Sequence, residues 1–145
     1  MWGSLVLVRI AVCARSSHPV IVRGLRGKSA GGVNLHFYPA AEQLSVPVSH
    51  NPELSKNLIL ANGVVPKLTN FSTVRIAPGK SVAPHSHRDM YEIFWVSEGA
   101  ANALVASRLL VLTAGDCLVV EPGEDHQIKN CGAQDLVFVY FGIAV

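Results

Sequence analysis

His85, His87 and Glu92 lie close together in the stretch GKSVAPHSHRDMYEIFWVSEG, which runs from Gly79 to Gly99. Imidazole and carboxylate are the side chains that ligate metal ions and carry protons near neutral pH. In extended chain successive side chains alternate in direction, so His85 and His87, with Ser86 between them, project on one side and can grip one ion. After a polar break at Arg88 and Asp89, the run Met90 to Val96 alternates as a strand. Its even face carries Met90, Glu92, Phe94 and Val96, which turns Glu92 inward among apolar neighbours. Two imidazoles and a carboxylate at that depth need either a metal or hydrogen-bonded partners, because an isolated buried carboxylate is too costly to keep charged.

The elements that must position this trio read as short strands between Gly and Pro turns. Leu44 to Val48 fits an edge strand, since Pro47 lacks an amide hydrogen. Ser49 to Pro52 reads as a turn, and Asn57–Ala61, the turn Asn62-Gly63 and Val64-Val65 read as a small hairpin. Strands are then predicted at Phe71–Ala77, Ser81–His87 and Met90–Val96. Ala100–Ala106 and Leu109–Leu112 follow as a hairpin turning at Ser107-Arg108, then strands Cys117–Glu121, His126–Lys129 and Leu136–Phe141. Many short strands and no long helical period predict an all-β sandwich or barrel.

A second informative stretch, GDCLVVEPGEDHQIKN from Gly115 to Asn130, places His126 just after the Pro122-Gly123 turn, where it can supply a fourth ligand. With these two stretches the chain resembles the cupins, small jelly-roll β-barrels. The first cupin motif asks for a glycine, five residues, His-x-His, three or four residues, Glu, six residues and a glycine. Gly79, His85, His87, Glu92 and Gly99 meet it in full. Of the second motif, Gly115, Gly123, His126 and Asn130 fit, while Glu121 stands where its first proline belongs. Five fixed residues at fixed spacing arise by chance on the order of once in 10⁶ starting positions. The resemblance covers roughly residues 70 to 141.

The resemblance implies a single small jelly-roll β-barrel with His85, His87, Glu92 and His126 as ligands of one divalent transition metal ion: Fe, Mn, Ni, Cu or Zn. In octahedral coordination four protein ligands leave two open positions, as a catalytic metal requires. Met90, Phe94, Ile128, Phe138 and Tyr140 are expected to line the barrel, an apolar surface suited to a small-molecule ligand. Arg75 is a candidate anchor for a carboxylate or phosphate, with solvent exposure as the alternative. Arg75, Met90, Phe94 and Tyr140 therefore form the expected substrate-binding set, with Tyr140 and Glu121 as candidates for a second acid or base. Tyr91, Ile93 and Trp95 fall on the face opposite Glu92, suiting sheet packing or a subunit interface. His18, His36 and His50 are read as ordinary core or surface residues, and Cys117 as a small buried apolar residue.

Three functions are compatible with this pattern: a metal-dependent enzyme of dioxygenase, isomerase, decarboxylase or lyase type acting on a small oxygenated metabolite, a binding module that senses or stores its ligand, and a purely structural barrel. No particular catalytic residue follows from the pattern. Family members commonly dimerise through edge strands, so a homodimer is expected.

The 145 residues allow one ordinary domain, and half are hydrophobic, enough for a core. Charge is uneven. Residues 1 to 41 hold Arg9, Arg15, Arg23, Arg26 and Lys28 with no acid, a charge of +5, while the remainder holds seven Lys or Arg against ten Asp or Glu, or −3. The body thus lacks the basic face that nucleic acid would require. An Arg-bearing, acid-free, Ser-containing leader over residues 1–32, disordered or helical, has the composition of an organelle transit peptide, for plastid or mitochondrion. Without it a cytoplasmic location is expected. Arg9 interrupts a short apolar start, which argues against membrane insertion. Residues 33–69 are read as N-terminal edge strands and turns, and 70–145 as the barrel core. Cys13, Cys117 and Cys131 show no metal-ligand spacing and suit a reducing compartment.

Overall fold

A computed structural model of the chain describes residues 36–145. The leader predicted over residues 1–32 lies outside them. The chain divides into residues 1–42 and a unit from Gln43 to Val145. In the first, Ala40–Glu42 forms one 3-10 turn, closed by the Glu42 amide donating to the Pro39 carbonyl. The second unit carries every strand of the described residues: β1 (Leu44–Val48), β2 (Asn51–Leu60), β3 (Leu68–Ile76), β4 (Met90–Glu98), β5 (Ala100–Val105), β6 (Arg108–Thr113), β7 (Cys117–Val120), β8 (His126–Asn130) and β9 (Leu136–Ala144). No helix among the described residues is long and apolar enough to cross a membrane.

The strands form two antiparallel sheets, β1-β2-β3-β9-β4-β7 and β6-β5-β8, the jelly-roll arrangement of an all-β barrel. β9 returns from the end of the chain to lie between β3 and β4. Period-two alternation sets which side chains meet: Val74, Phe94, Leu118 and Phe138 of the large sheet pack with Ala101, Ala103, Leu112 and Ile128 of the small one. Pro47 sits in β1 at the margin of the large sheet, where a missing amide hydrogen breaks no central ladder.

Several predicted elements shift. The Ser81–His87 strand does not form as a regular strand; the segment makes isolated bridges to β8 at Ser81 and His85. Pro84 removes one donor, and the remaining amides of Val82 and His85 reach the Ile128 and His126 carbonyls. β2 begins at Asn51, leaving Ser49 and His50 as its preceding turn. The Asn62-Gly63 turn leads not to Val64-Val65 but to β3, because the Gly63 amide donates to the carbonyl of Leu68. The β5–β6 hairpin turns one residue earlier than predicted, at Ala106-Ser107, whose φ values of 46° and 67° give the left-handed pair that a two-residue hairpin needs. Cys117 is exposed, because Leu118 and Val120 take the inward positions of β7.

Asn130, fully buried, ties the ends of three segments together. Its amide nitrogen donates to the carbonyls of Ile76 and Gln134, both at 2.8 Å, and its oxygen accepts from the Gly132 amide at 2.9 Å. The second motif's asparagine is therefore a structural clip.

Candidate metal centre

The site begins with backbone pairing. The His85 amide donates to the His126 carbonyl at 3.1 Å and the His126 amide to the His85 carbonyl at 2.8 Å. Opposed residues that exchange both bonds present their side chains on one face, and the two rings lie 4.3 Å apart. The carbonyl of His87 is held by the Gly123 amide at 2.7 Å, and Gly123 reaches that position at φ +88°, which glycine adopts without strain. Glu92 comes from the opposite sheet, on the inward face of β4 with Phe94 and Val96.

All four side chains converge. Glu92 Oε2 lies 2.9 Å from His126 Nε2, 3.4 Å from His87 Nε2 and 3.8 Å from His85 Nε2, and the ligand atoms all fall within 4.8 Å of one another. Donors bonded at about 2.1 Å to a common centre stand about 3.0–3.5 Å apart, close to the His126 and His87 contacts with Glu92, and with the remaining pairs a little wider the set could hold one ion. His85 Nδ1–H donates to the Ala83 carbonyl at 2.8 Å and His126 Nδ1–H to the Glu124 carbonyl at 3.1 Å. Each bond orients its ring so that Nε2 faces Glu92, where it can donate to the carboxylate or, once that proton is displaced, ligate an ion, the outer-shell arrangement of metal-binding histidines. Three nitrogens and one oxygen suit a divalent transition metal.

Electrostatics agree. Burial pushes the Glu92 carboxyl up, but the contact from His126 and the neighbouring His85 and His87 rings outweigh it and hold it down at about 2. For His85 burial acts downward, yet Glu92 and the Ala83 carbonyl raise its pKa. His87 is lowered, first by burial and then by the crowd of His85, His50 and His126. The Glu92 carboxylate therefore keeps its negative charge through the neutral range, an anion at the centre of the set that attracts a cation.

The centre opens on a cavity of about 200 Å³. Met90, Phe94 and Tyr140 line it as predicted, with Ile128 and Phe138. Phe94 stacks on Tyr140 at 5.8 Å and meets Phe138 edge-on at 5.5 Å. Burial pushes the Tyr140 phenol up to about 12, so it keeps its proton at neutral pH and can serve as a donor, not a base. Arg75 falls outside: Val74 and Ile76 take the inward positions of β3, and the Arg75 guanidinium pairs with Asp135 at 3.2 Å on the exposed face. Glu121 is also exposed, away from the cavity lining.

Two residues that the sequence did not single out belong to the lining. His50, read as an ordinary histidine, reaches the cavity from the β1–β2 turn and stacks on His85 with centroids 4.5 Å apart. Lys56 lines it from β2, opposite Val74 in register, with Nζ 5.6 Å from the Tyr140 ring centroid. The inward positions Leu54, Lys56 and Leu58 are a period-two signal, interrupted in the sequence by the polar run around Pro52 and Glu53.

Residues 72–142 match a family model described as Cupin domain. An oxalate-binding protein of Thermotoga maritima is 32% identical over 69 residues, a match covering 48% of this chain and 57% of that protein, so it spans little more than half of this relative. A solved structure described as a predicted oxalate decarboxylase from Thermotoga maritima is 24% identical with a TM-score of 0.68, covering 75% of this chain and 99% of the other. KdgF from Halomonas sp. gives 20% and 0.62 over 77% and 96%, and the cupin domain of Cnp3 from Schizosaccharomyces pombe gives 15% and 0.60 over 68% and 69%. At those identities the solved structures establish likeness of fold alone. Motifs, two-sheet barrel and family match coincide, and residues 72–142 of the chain form a cupin domain.

Proposed function

We propose that this protein is a metal-dependent enzyme acting on a small oxygenated metabolite, with oxalate and related small acids the first to test. The observation that carries this reading is the convergence of three Nε2 atoms on Glu92 Oε2 at the end of a cavity. A divalent ion of Fe, Mn, Ni, Cu or Zn held by His85, His87, Glu92 and His126 supplies Lewis-acid or redox chemistry at its open positions. The chain's own contribution is to size the cavity, exclude water with Phe94, Ile128 and Phe138, and hold the Tyr140 proton ready for a bound oxygen atom. A volume of about 200 Å³ lies below the range for drug-sized ligands and restricts the substrate to a small molecule. The oxalate-binding relative supports an oxygenated acid.

Elemental analysis of the purified protein, followed by a screen of small acids with His87→Ala as blank, tests the reading. Turnover in that variant as fast as in the parent would overturn it. The same relative favours a second reading, a module that captures the acid without converting it. Tight binding with the ligand recovered unchanged would select that one.

We further propose that two chains pair through the outer face of the large sheet, where Tyr91, Trp95 and Val119 are exposed on the adjacent strands β4 and β7. Residues 1–32 are proposed to direct the chain to an organelle, on the strength of their charge and composition. Fused to a fluorescent reporter they should move it there, and a diffuse signal would end that proposal.

A further inference from the structure

One cation faces the cavity with no anion of its own. Lys56 lies on the inward side of β2, paired with Val46 on one side and with buried Val74 on the other. Its stem lines the cavity wall, and Nζ sits over the Tyr140 ring, a position that fixes the head group but does not neutralise it. The ion pairs of the described residues join Arg75 to Glu98 and Asp135 and the three site histidines to Glu92; none involves Lys56. Glu92, the acidic residue of the cavity lining, is fully engaged by those histidines. Asn70 and Thr69 stand in the same lining and add neutral polar groups to it. Half-burial of a strand lysine against an aromatic ring, beside a cavity, is an arrangement that an incoming anion completes.

Resting on the metal-centre reading above, we propose that Lys56 forms a second subsite, which binds a carboxylate group of the ligand while the ligand's other end faces His85, His87, Glu92 and His126. The occupant is then a small organic acid with two separated oxygenated groups, held across the cavity between ammonium and metal. A point charge on a flexible stem suits this role, since it tolerates more than one spacing between the two groups. β2 lies outside the segment matched by the cupin-domain family, so Lys56 is not one of the residues of that match.

The test uses the full chain, with zinc or manganese loaded and counted by elemental analysis, titrated calorimetrically with malonate, succinate and their uncharged diamides. Lys56→Gln should weaken binding of the diacids at least tenfold, leave diamide binding within about twofold, and leave metal stoichiometry unchanged; Lys56→Arg should recover most of the loss. Arg75→Gln, which removes a surface cation outside the cavity, should bind as the parent does. Metal uptake together with diacid binding indifferent to Lys56→Gln, or an equal loss for diacid and diamide, would sink the subsite and leave the metal reading standing. Diacid binding that depends on Lys56 in a protein taking up no metal would keep the subsite and sink the metal reading. No binding of either diacid to the loaded parent would overturn the subsite.

Discussion

His126 Nε2 lies 2.9 Å from Glu92 Oε2, although 34 residues separate them and each comes from a different sheet. Both are buried, at 3% and 5% exposure. Breaking a buried pair from one side leaves the other group uncompensated and costs about 3–5 kcal/mol. In metal-stripped protein His126→Ala should therefore be strongly destabilising. Glu92→Gln combined with it should cost at least ~1 kcal/mol less than the two single losses added together. Urea denaturation of the four proteins measures this, and simple additivity would show that the pair is not coupled in the folded state.

Acid should act on the site in two stages. Ligands must be deprotonated, so metal content after dialysis should fall below about pH 6, near the ordinary histidine range. The Glu92 carboxyl is held at about 2 in the fold against 4.5 as its ordinary value. Between those values the unfolded chain binds the proton that the folded chain refuses. Stability from Glu92 is thus present above about 4.5 and lost as pH falls toward 2. Glu92→Gln should flatten that part of the metal-free stability curve. An unchanged acid limb would place the loss on other carboxyls.

How much of this was legible in the sequence depends on whether a signal is local. The alternation Met90, Glu92, Phe94, Val96 announces β4 and its inward carboxylate, and the resemblance of the two motifs to those of the cupins implies His85, His87, Glu92 and His126 as the ligand set. Arg75 was left open, although Val74 and Ile76 on either side of it fix its outward direction once their burial is seen. Lys56 and His50 were missed for a different reason. β2 opens with Pro52, Glu53 and Ser55, residues with little strand preference, and only pairing with β1 and β3 extends it through them. Which residues of such a strand face the site is a tertiary fact.

Pairing of two chains should depend on the exposed outer face. Trp95 is opposite Cys117 and Ile93 opposite Val119 in the β4–β7 register, so Trp95 and Val119 lie on one surface beside the sheet's unpaired margin. Apolar side chains that stay in water gain about 25 cal/mol for each Å² covered. Trp95→Glu and Val119→Glu should each shift the mass measured by light scattering toward the single chain, with metal content retained. A parent that is already a single chain at high concentration would refute the pairing.

Gly99, the glycine that closes the first motif, separates two causes of instability. Its φ of +81° resembles the +79° of Gly63, so alanine at either position bears a similar backbone strain, about 1–2 kcal/mol. Their surroundings differ. A Cβ at Gly63 would meet nothing within 4 Å, whereas one at Gly99 would stand 2.6 Å from the Asp135 carbonyl oxygen and 3.0 Å from Leu136 Cα. Those are backbone atoms at the start of β9, where Leu136 is fully buried and cannot swing aside. Gly99→Ala should therefore cost at least ~1 kcal/mol more than Gly63→Ala in urea denaturation, a surplus that measures how firmly β9 is held against β4. Equal losses would mean that β9 yields at its first residue, and that the closing glycine serves the turn alone.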